Sequence, residues 1–172
     1  MDLVWGVDLG GTKIEGVVLP AADGADAARP ICRRRVPTQR DRGYGHVRGQ
    51  VARLVDLMAA QVGHRPRAVG FGTPGMLDPE SQVLKNSNTT CLVGQPLRED
   101  FAADLGCRVE LANDANCFAL AEARLGAGRG APTLFGVILG TGVGGGVVID
   151  GRVLPGCQGI AGEWGHNALD GD

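Results

Sequence analysis

Four short segments carry residues whose types and spacing suit chemistry. In the first, Asp8-Leu9-Gly10-Gly11-Thr12-Lys13, two glycines, a hydroxyl and an amine follow an acid. Successive glycines let backbone N–H groups converge on an anion, because no Cβ blocks the approach. Asp8, at the end of an apolar run, is placed to orient Mg2+ or its water shell. The GxxxxGK(S/T) spacing is missing and a strand rather than a helix follows, so this is not a Walker loop. A tight hairpin turn is the competing reading. The second, Gly140-Thr141-Gly142-Val143-Gly144-Gly145-Gly146, contains a GxGxxG pattern. Dinucleotide use of that pattern needs a helix N-terminus facing the pyrophosphate, and here Val147-Val148-Ile149 continues as strand. Two strand–turn–strand units fit two loops closing on one polyphosphate from opposite sides.

The third segment, Asn113-Asp114-Ala115-Asn116, lies between a strand and a helix. Asp and Asn are ordinary helix N-caps, yet α/β proteins also place active groups at the C-terminal ends of strands. Asp114 is therefore either a cap or a general base for a substrate hydroxyl. In the fourth, Ala161-Gly162-Glu163-Trp164-Gly165-His166, Glu163 offers acceptors to two neighbouring hydroxyls. His166 is a donor, a metal ligand or a structural residue, and no second His or Cys lies at ligand spacing from it.

Positioning these segments requires an alternation of strands and helices. Apolar runs predict strands at 3–9 and 14–19, followed by a turn-rich link over 20–30. Arg33-Arg34-Arg35 sits near a further strand as a solvated charge run. Val47, Val51, Leu54, Val55, Met58 and Val62 fall at helical spacing within 45–62. A strand at 68–71 leads into the turn Gly72-Thr73-Pro74-Gly75. A helix spans 96–105, with Pro96 near its first turn and Gly106 just past its end. A strand at 108–112, a helix at 115–125, strands at 133–139 and 144–149 and a turn at Asp150-Gly151 complete an α/β pattern.

Composition narrows the function classes. The 172 residues are 44% apolar, carry net charge −2 and include 29 glycines. That apolar share excludes wholesale disorder, and near-neutral charge argues against nonspecific attachment to nucleic acid or an anionic membrane. Residues 130–149 carry no charge, but their glycines and Pro132 favour two buried strands over a membrane helix. Asp8 within the first apolar run excludes a signal-peptide core. Cys32, Cys91, Cys107, Cys117 and Cys157 form no CxxC pair, so reduced, mostly buried thiols of a cytoplasmic protein are expected.

Taken together, DLGGTK at 8–13, GTPG at 72–75, NDAN at 113–116, GTGVGGG at 140–146 and GEWGH at 162–166 resemble the ROK family of sugar kinases. KNSNTTCLVGQPL at 85–97 and AGEWGHNAL at 161–169 are most similar to its bacterial fructokinase/mannokinase branch, although Cys91 stands where related fructokinases carry Trp. The resemblance implies an α/β actin-like ATPase (ribonuclease H-like) fold with a mixed sheet. A first domain would span 1–115, and 116–172 would begin a second. It implies ATP-dependent phosphorylation of the terminal hydroxyl of a hexose, fructose before others. Glucokinase or N-acetylglucosamine/N-acetylmannosamine kinase activity is the alternative. Asp114 would be the general base, and Gly75, Asn88, Asn113, Glu163 and His166 would line the sugar pocket. Asp8, Gly10, Gly11, Thr12, Lys13, Gly140, Thr141, Gly142 and Gly144 would hold the ATP phosphates and Mg2+. Family members carry a downstream CxCGxxGC stretch that joins the His in binding zinc, so zinc at His166 is expected only where those cysteines are present. A homodimer is implied for the complete protein, with no nucleic-acid or membrane partner. A non-catalytic sugar sensor is the reading from another class. Family repressors carry a helix-turn-helix before DxGGTK, whereas seven residues precede Asp8 here. Strands left without partners after residue 172 are expected to expose edges and favour self-association.

Overall fold

The computed structural model describes residues 2–21, 29–78, 80–139, 143–157, 159 and 161–165. The chain divides into two compact units between Ala112 and Asn113. In the first, β1 (Leu3–Leu9) runs antiparallel to β2 (Lys13–Pro20), which runs antiparallel to β3 (Cys32–Pro37). On its other side β1 pairs in parallel with β4 (Ala68–Thr73), and β7 (Arg108–Asn113) completes the order β3-β2-β1-β4-β7. This register sets Asp8 opposite Glu15 on one side and Gly72 on the other.

Helix α1 (Tyr44–Val62) packs on this sheet because its apolar stripe matches the helical period. Val47, Val51, Leu54, Val55 and Met58 are buried with Leu9, Ile14, Val18 and Phe71 in one core. Each such side chain contributes about 1.5–3 kcal/mol on leaving water. Helix α2 (Leu97–Leu105) adds Phe101, stacked on Phe71 with ring centroids 5.0 Å apart. A polar clip joins the two helices: Tyr44 donates to Asp100 at 2.7 Å and Arg48 to Asp104 at 2.6 Å.

The triple arginine is β3 itself rather than a neighbour of a strand. Strand alternation sends Arg33 and Arg35 to one face, where both donate to Glu15, while Cys32 and Val36 enter the core. Two further elements were not legible as apolar runs. A short hairpin of β5 (Met76–Leu77) and β6 (Leu84–Lys85) follows β4, and β10 (Arg152–Val153) turns back after β9. The thiols depart from expectation. Only Cys32 is buried, Cys91 and Cys107 are half-buried, and Cys117 and Cys157 are exposed. The reason is local. Cys32 faces α1, whereas Cys117 falls between the buried α3 positions Asn116 and Ala119 on a different side of its helix.

In the second unit β8 (Thr133–Leu139) and β9 (Val143–Ile149) form the antiparallel pair read from the uncharged stretch. Helix α3 (Asp114–Leu125) lies on them, and Gly146 makes that approach possible. A Cβ there would stand 2.8 Å from the Ala115 carbonyl oxygen and 3.0 Å from the Ala119 Cβ. The opposite face of the pair leaves Phe135 51% and Leu139 71% exposed. No helix among the described residues is long and apolar enough to cross a membrane.

This packing gives a contrast between two alanine substitutions. Gly146→Ala is expected to cost about 1–3 kcal/mol by overpacking. Gly49→Ala, on α1 with open space around it, should be neutral or stabilise by up to about 1 kcal/mol. Urea unfolding followed by circular dichroism measures both, and equal midpoints for the two variants would contradict the packing described.

Candidate active site

In the first unit the turn between β1 and β2 is held from beneath. Thr38, fully buried, donates its hydroxyl to the Gly10 carbonyl at 2.6 Å, and its N–H donates to the Thr12 carbonyl at 3.0 Å. Gln50 of α1 donates to the Pro37 carbonyl at 2.6 Å and so fixes the segment that carries Thr38. The turn closes this tightly only because side chains are missing. A Cβ on Gly10 would meet the Lys13 carbonyl oxygen at 2.8 Å, and one on Gly11 would stand 3.0 Å from the Thr89 hydroxyl and 3.2 Å from Arg40 Nη1. Asp8, Thr12 and Lys13 are exposed around it.

The same unit brings the loop that carries Asn88 next to this turn. Arg40 Nη1 donates to the Asn88 carbonyl at 3.3 Å. Asn88 is exposed between the buried Ser87 and Thr89, whose hydroxyl and N–H bond to each other at 3.1 Å. Gly75 has φ +91°, and its close approach to the carbonyls of Lys85 and Asn86 leaves no space for a side chain.

In the second unit the NDAN segment divides its labour. Asn113 caps α3, accepting from the Asn116 N–H at 3.1 Å. Asp114 is the first helical residue, and its Oδ1 accepts from the Ala115 N–H at 2.8 Å. The cap and the candidate base are thus different residues. Beside them the 161–165 segment lies against the start of β9. Trp164 donates its indole N–H to the Gly144 carbonyl at 3.0 Å, and a Cβ on Gly165 would collide with the Val143 carbonyl. Glu163 accepts from the Gly165 N–H at 2.8 Å. A Cβ on Gly144 would lie 3.6 Å from Glu163 Oε2 and 3.8 Å from the Ala115 Cβ. Gly144, Glu163 and the start of α3 therefore share one corner.

Asp114 keeps an open side, yet burial around its carboxyl raises its pKa above the ordinary aspartate value. The Ala115 N–H opposes that shift and the charge of Glu163 adds to it. A carboxylate so placed is a stronger proton acceptor than a free one, as a general base requires. Gly140, Thr141, Gly142 and His166 lie outside the described residues. Among the described residues no three His, Cys, Asp or Glu side chains converge as a metal site. Thr38 and Arg40 were not singled out by sequence, and Thr89 only as part of the 85–97 segment, since only the fold brings them to the glycine turn.

The profile of the ROK family matches residues 4–172. The chain belongs to this family. It is 41% identical over 170 residues to the N-acetyl-D-glucosamine kinase of Pectobacterium atrosepticum, covering 99% of this chain and 54% of that protein. Its fold matches the ROK hexokinase from Thermus thermophilus with TM-score 0.79 and 38% identity, covering 98% of this chain and 54% of that one. A ROK family glucokinase from Streptomyces griseus, solved with glucose and AMPPNP, matches with TM-score 0.82 and 30% identity, over 98% of this chain and 51% of that one. The chain thus spans about half the length of the curated relatives it matches, and its α/β architecture is the actin-like ATPase fold of ROK sugar kinases.

The clamp under the ROK glycine turn is testable on its own. Thr38→Val keeps shape but removes the donor to Gly10, and is expected to cost about 1–3 kcal/mol. Thr38→Ser keeps the hydroxyl and should recover most of that cost. Chemical denaturation of both variants decides, and a Thr38→Val protein as stable as the parent would contradict the clamp.

Proposed function

We propose that the full-length protein carrying this chain is an ATP-dependent hexose kinase, with N-acetylglucosamine its foremost substrate and Asp114 its general base. The observation that carries the reading is Asp114 at the start of α3, its pKa raised by burial and by Glu163 beside it. Fructose, the first expectation from the KNSNTTCLVGQPL and AGEWGHNAL segments, gives way because the relatives named above include an N-acetylglucosamine kinase and a glucokinase and no fructokinase. Both belong to the alternatives that the resemblance left open.

The glycine turn suits a polyphosphate, since Gly10 and Gly11 put no side chain over its backbone and the exposed Asp8, Thr12 and Lys13 flank it. Mg2+-ATP, when bound, supplies the phosphoryl group and neutralises part of its charge. Asp8 would hold the Mg2+ shell, and Lys13 and the turn's backbone would hold phosphate oxygens. Gly140, Thr141, Gly142 and Gly144 complete the proposed phosphate set. Gly75, Asn88, Asn113, Glu163 and His166 would orient the sugar. Asn113 would use its amide N–H groups for this, since its oxygen accepts the helix-capping bond. Zinc at His166 has no assigned step.

Phosphoryl transfer through a loose transition state depends on in-line positioning and charge stabilisation more than on a strong base. Asp114 orients the attacking hydroxyl and accepts its proton late. Asp114→Asn is therefore expected to lower kcat by about 10²–10⁴-fold with the sugar Kd nearly unchanged. The same variant relieves the cost of an ionised, crowded carboxylate. That cost is present at neutral pH and vanishes as pH falls below the ordinary aspartate range, where Asp114 is protonated folded and unfolded alike. Its Tm should thus match or exceed that of the parent at pH 7, with the difference shrinking in acid. Coupled assays of the full-length protein with N-acetylglucosamine, glucose, mannose and fructose test the reading. Absence of turnover with every hexose, or an Asp114→Asn variant as active as the parent, would overturn it.

A further inference from the structure

We propose that Arg40 is a phosphate-contacting residue, its guanidinium binding oxygens of the phosphoryl group that passes between nucleotide and sugar. The proposal rests on the kinase reading and adds to it a residue outside the DLGGTK, NDAN and GEWGH segments.

Arg40 opens a single turn of 3-10 helix at Arg40–Arg42. Gln39, which precedes it, holds a left-handed backbone at φ 50°, a conformation that costs a non-glycine residue free energy. The surroundings impose it. Thr38 is tied to Gly10 and Thr12, and the Gln39 side chain is held by His46 at 2.8 Å and Arg42 at 3.4 Å. The result places Arg40 Nη1 between two loops. It stands 3.2 Å from the position a Gly11 Cβ would take, and 3.3 Å from the Asn88 carbonyl oxygen.

What sets Arg40 apart is a charge unpaired among the described residues beside the glycine turn, within 3.2 Å of the space a Gly11 side chain would take. Arg33 and Arg35 pair with Glu15, Arg48 with Asp100 and Asp104, Arg65 with Asp56, and Lys85 with Asp78. Among the described residues no carboxylate pairs with Arg40. Its one bond, to the neutral Asn88 carbonyl, occupies one of five guanidinium donors. An exposed cation with spare donors beside a side-chain-free turn suits an anion rather than a neutral hydroxyl. The planar fork of Arg matches two phosphoryl oxygens at once, which the point charge of Lys13 does not. The position at the seam between the glycine turn and the Asn88 loop is where a phosphoryl group would be shared by the two.

The test uses the full-length protein with Arg40→Met and Arg40→Lys. Calorimetry measures binding of inorganic phosphate without nucleotide and, separately, binding of N-acetylglucosamine; steady-state assays give kcat and KM. The expected result is a loss of about 10–100-fold in phosphate affinity and in kcat for Arg40→Met. Sugar affinity should stay within about two-fold, and Arg40→Lys should recover part of the loss. Phosphate affinity unchanged in Arg40→Met, no measurable phosphate binding by the parent, or sugar and phosphate affinity falling together would each overturn the proposal, the last marking Arg40 as a brace for the Asn88 loop. If the parent binds phosphate through Arg40 yet phosphorylates no hexose, the phosphate site stands and the kinase reading fails. If hexose turnover is intact in both parent and Arg40→Met, the reading stands and the Arg40 site fails.

Discussion

Two carboxylates, Asp114 and Glu163, stand close enough for one to raise the pKa of the other, and that closeness depends on backbone packed where no Cβ fits. Helix α3 reaches β9 at Gly146, with the Ala115 carbonyl in the space a side chain would need. The 161–165 segment reaches the same strand at Gly145, where a Cβ would stand 2.7 Å from the Gly162 carbonyl. Both approaches converge near Gly144, so the start of α3 and Glu163 meet there. A side chain at Gly145 or Gly146 would force one of these approaches apart. The site's electrostatics are thus set by packing rather than by a dedicated ion pair.

The first unit solves a related problem with a hydroxyl. Its glycine turn is supported by buried Thr38, which bonds to it through two hydrogen bonds. Thr38 is in turn held by the Pro37–Gln50 bond to α1, which rests on the apolar core. The chain of dependence runs from the α1 stripe, through Gln50 and Thr38, to the geometry of Gly10. Hydrophobic burial thereby fixes a polar site that it never touches.

Much of this was legible in the sequence, and the reasons are physical. A seven-residue strand with alternate residues buried and a nineteen-residue amphipathic helix repeat their pattern long enough to be read, so β1 and α1 stood out. The two-residue strands β5, β6 and β10 show no period at all. In NDAN, residue types alone left cap and base as rivals, and the fold separated them: Asn113 caps, while Asp114 begins the helix and faces Glu163's charge. Thr38 and Arg40 stayed hidden because nothing in their local spacing marks them; they meet Gly10 and Gly11 only through tertiary contact. Not every glycine suits the approach of an anion. Gly146 serves helix-on-strand packing instead.

The most direct test is a carboxyl-carbon NMR titration of Asp114 in the parent and in Glu163→Gln. Coupling between the two carboxylates predicts that Asp114 titrates above the ordinary aspartate value of about 3.9 in the parent and moves down when Glu163 loses its charge. An Asp114 that titrates at or below that value, or that ignores Glu163→Gln, would contradict the account.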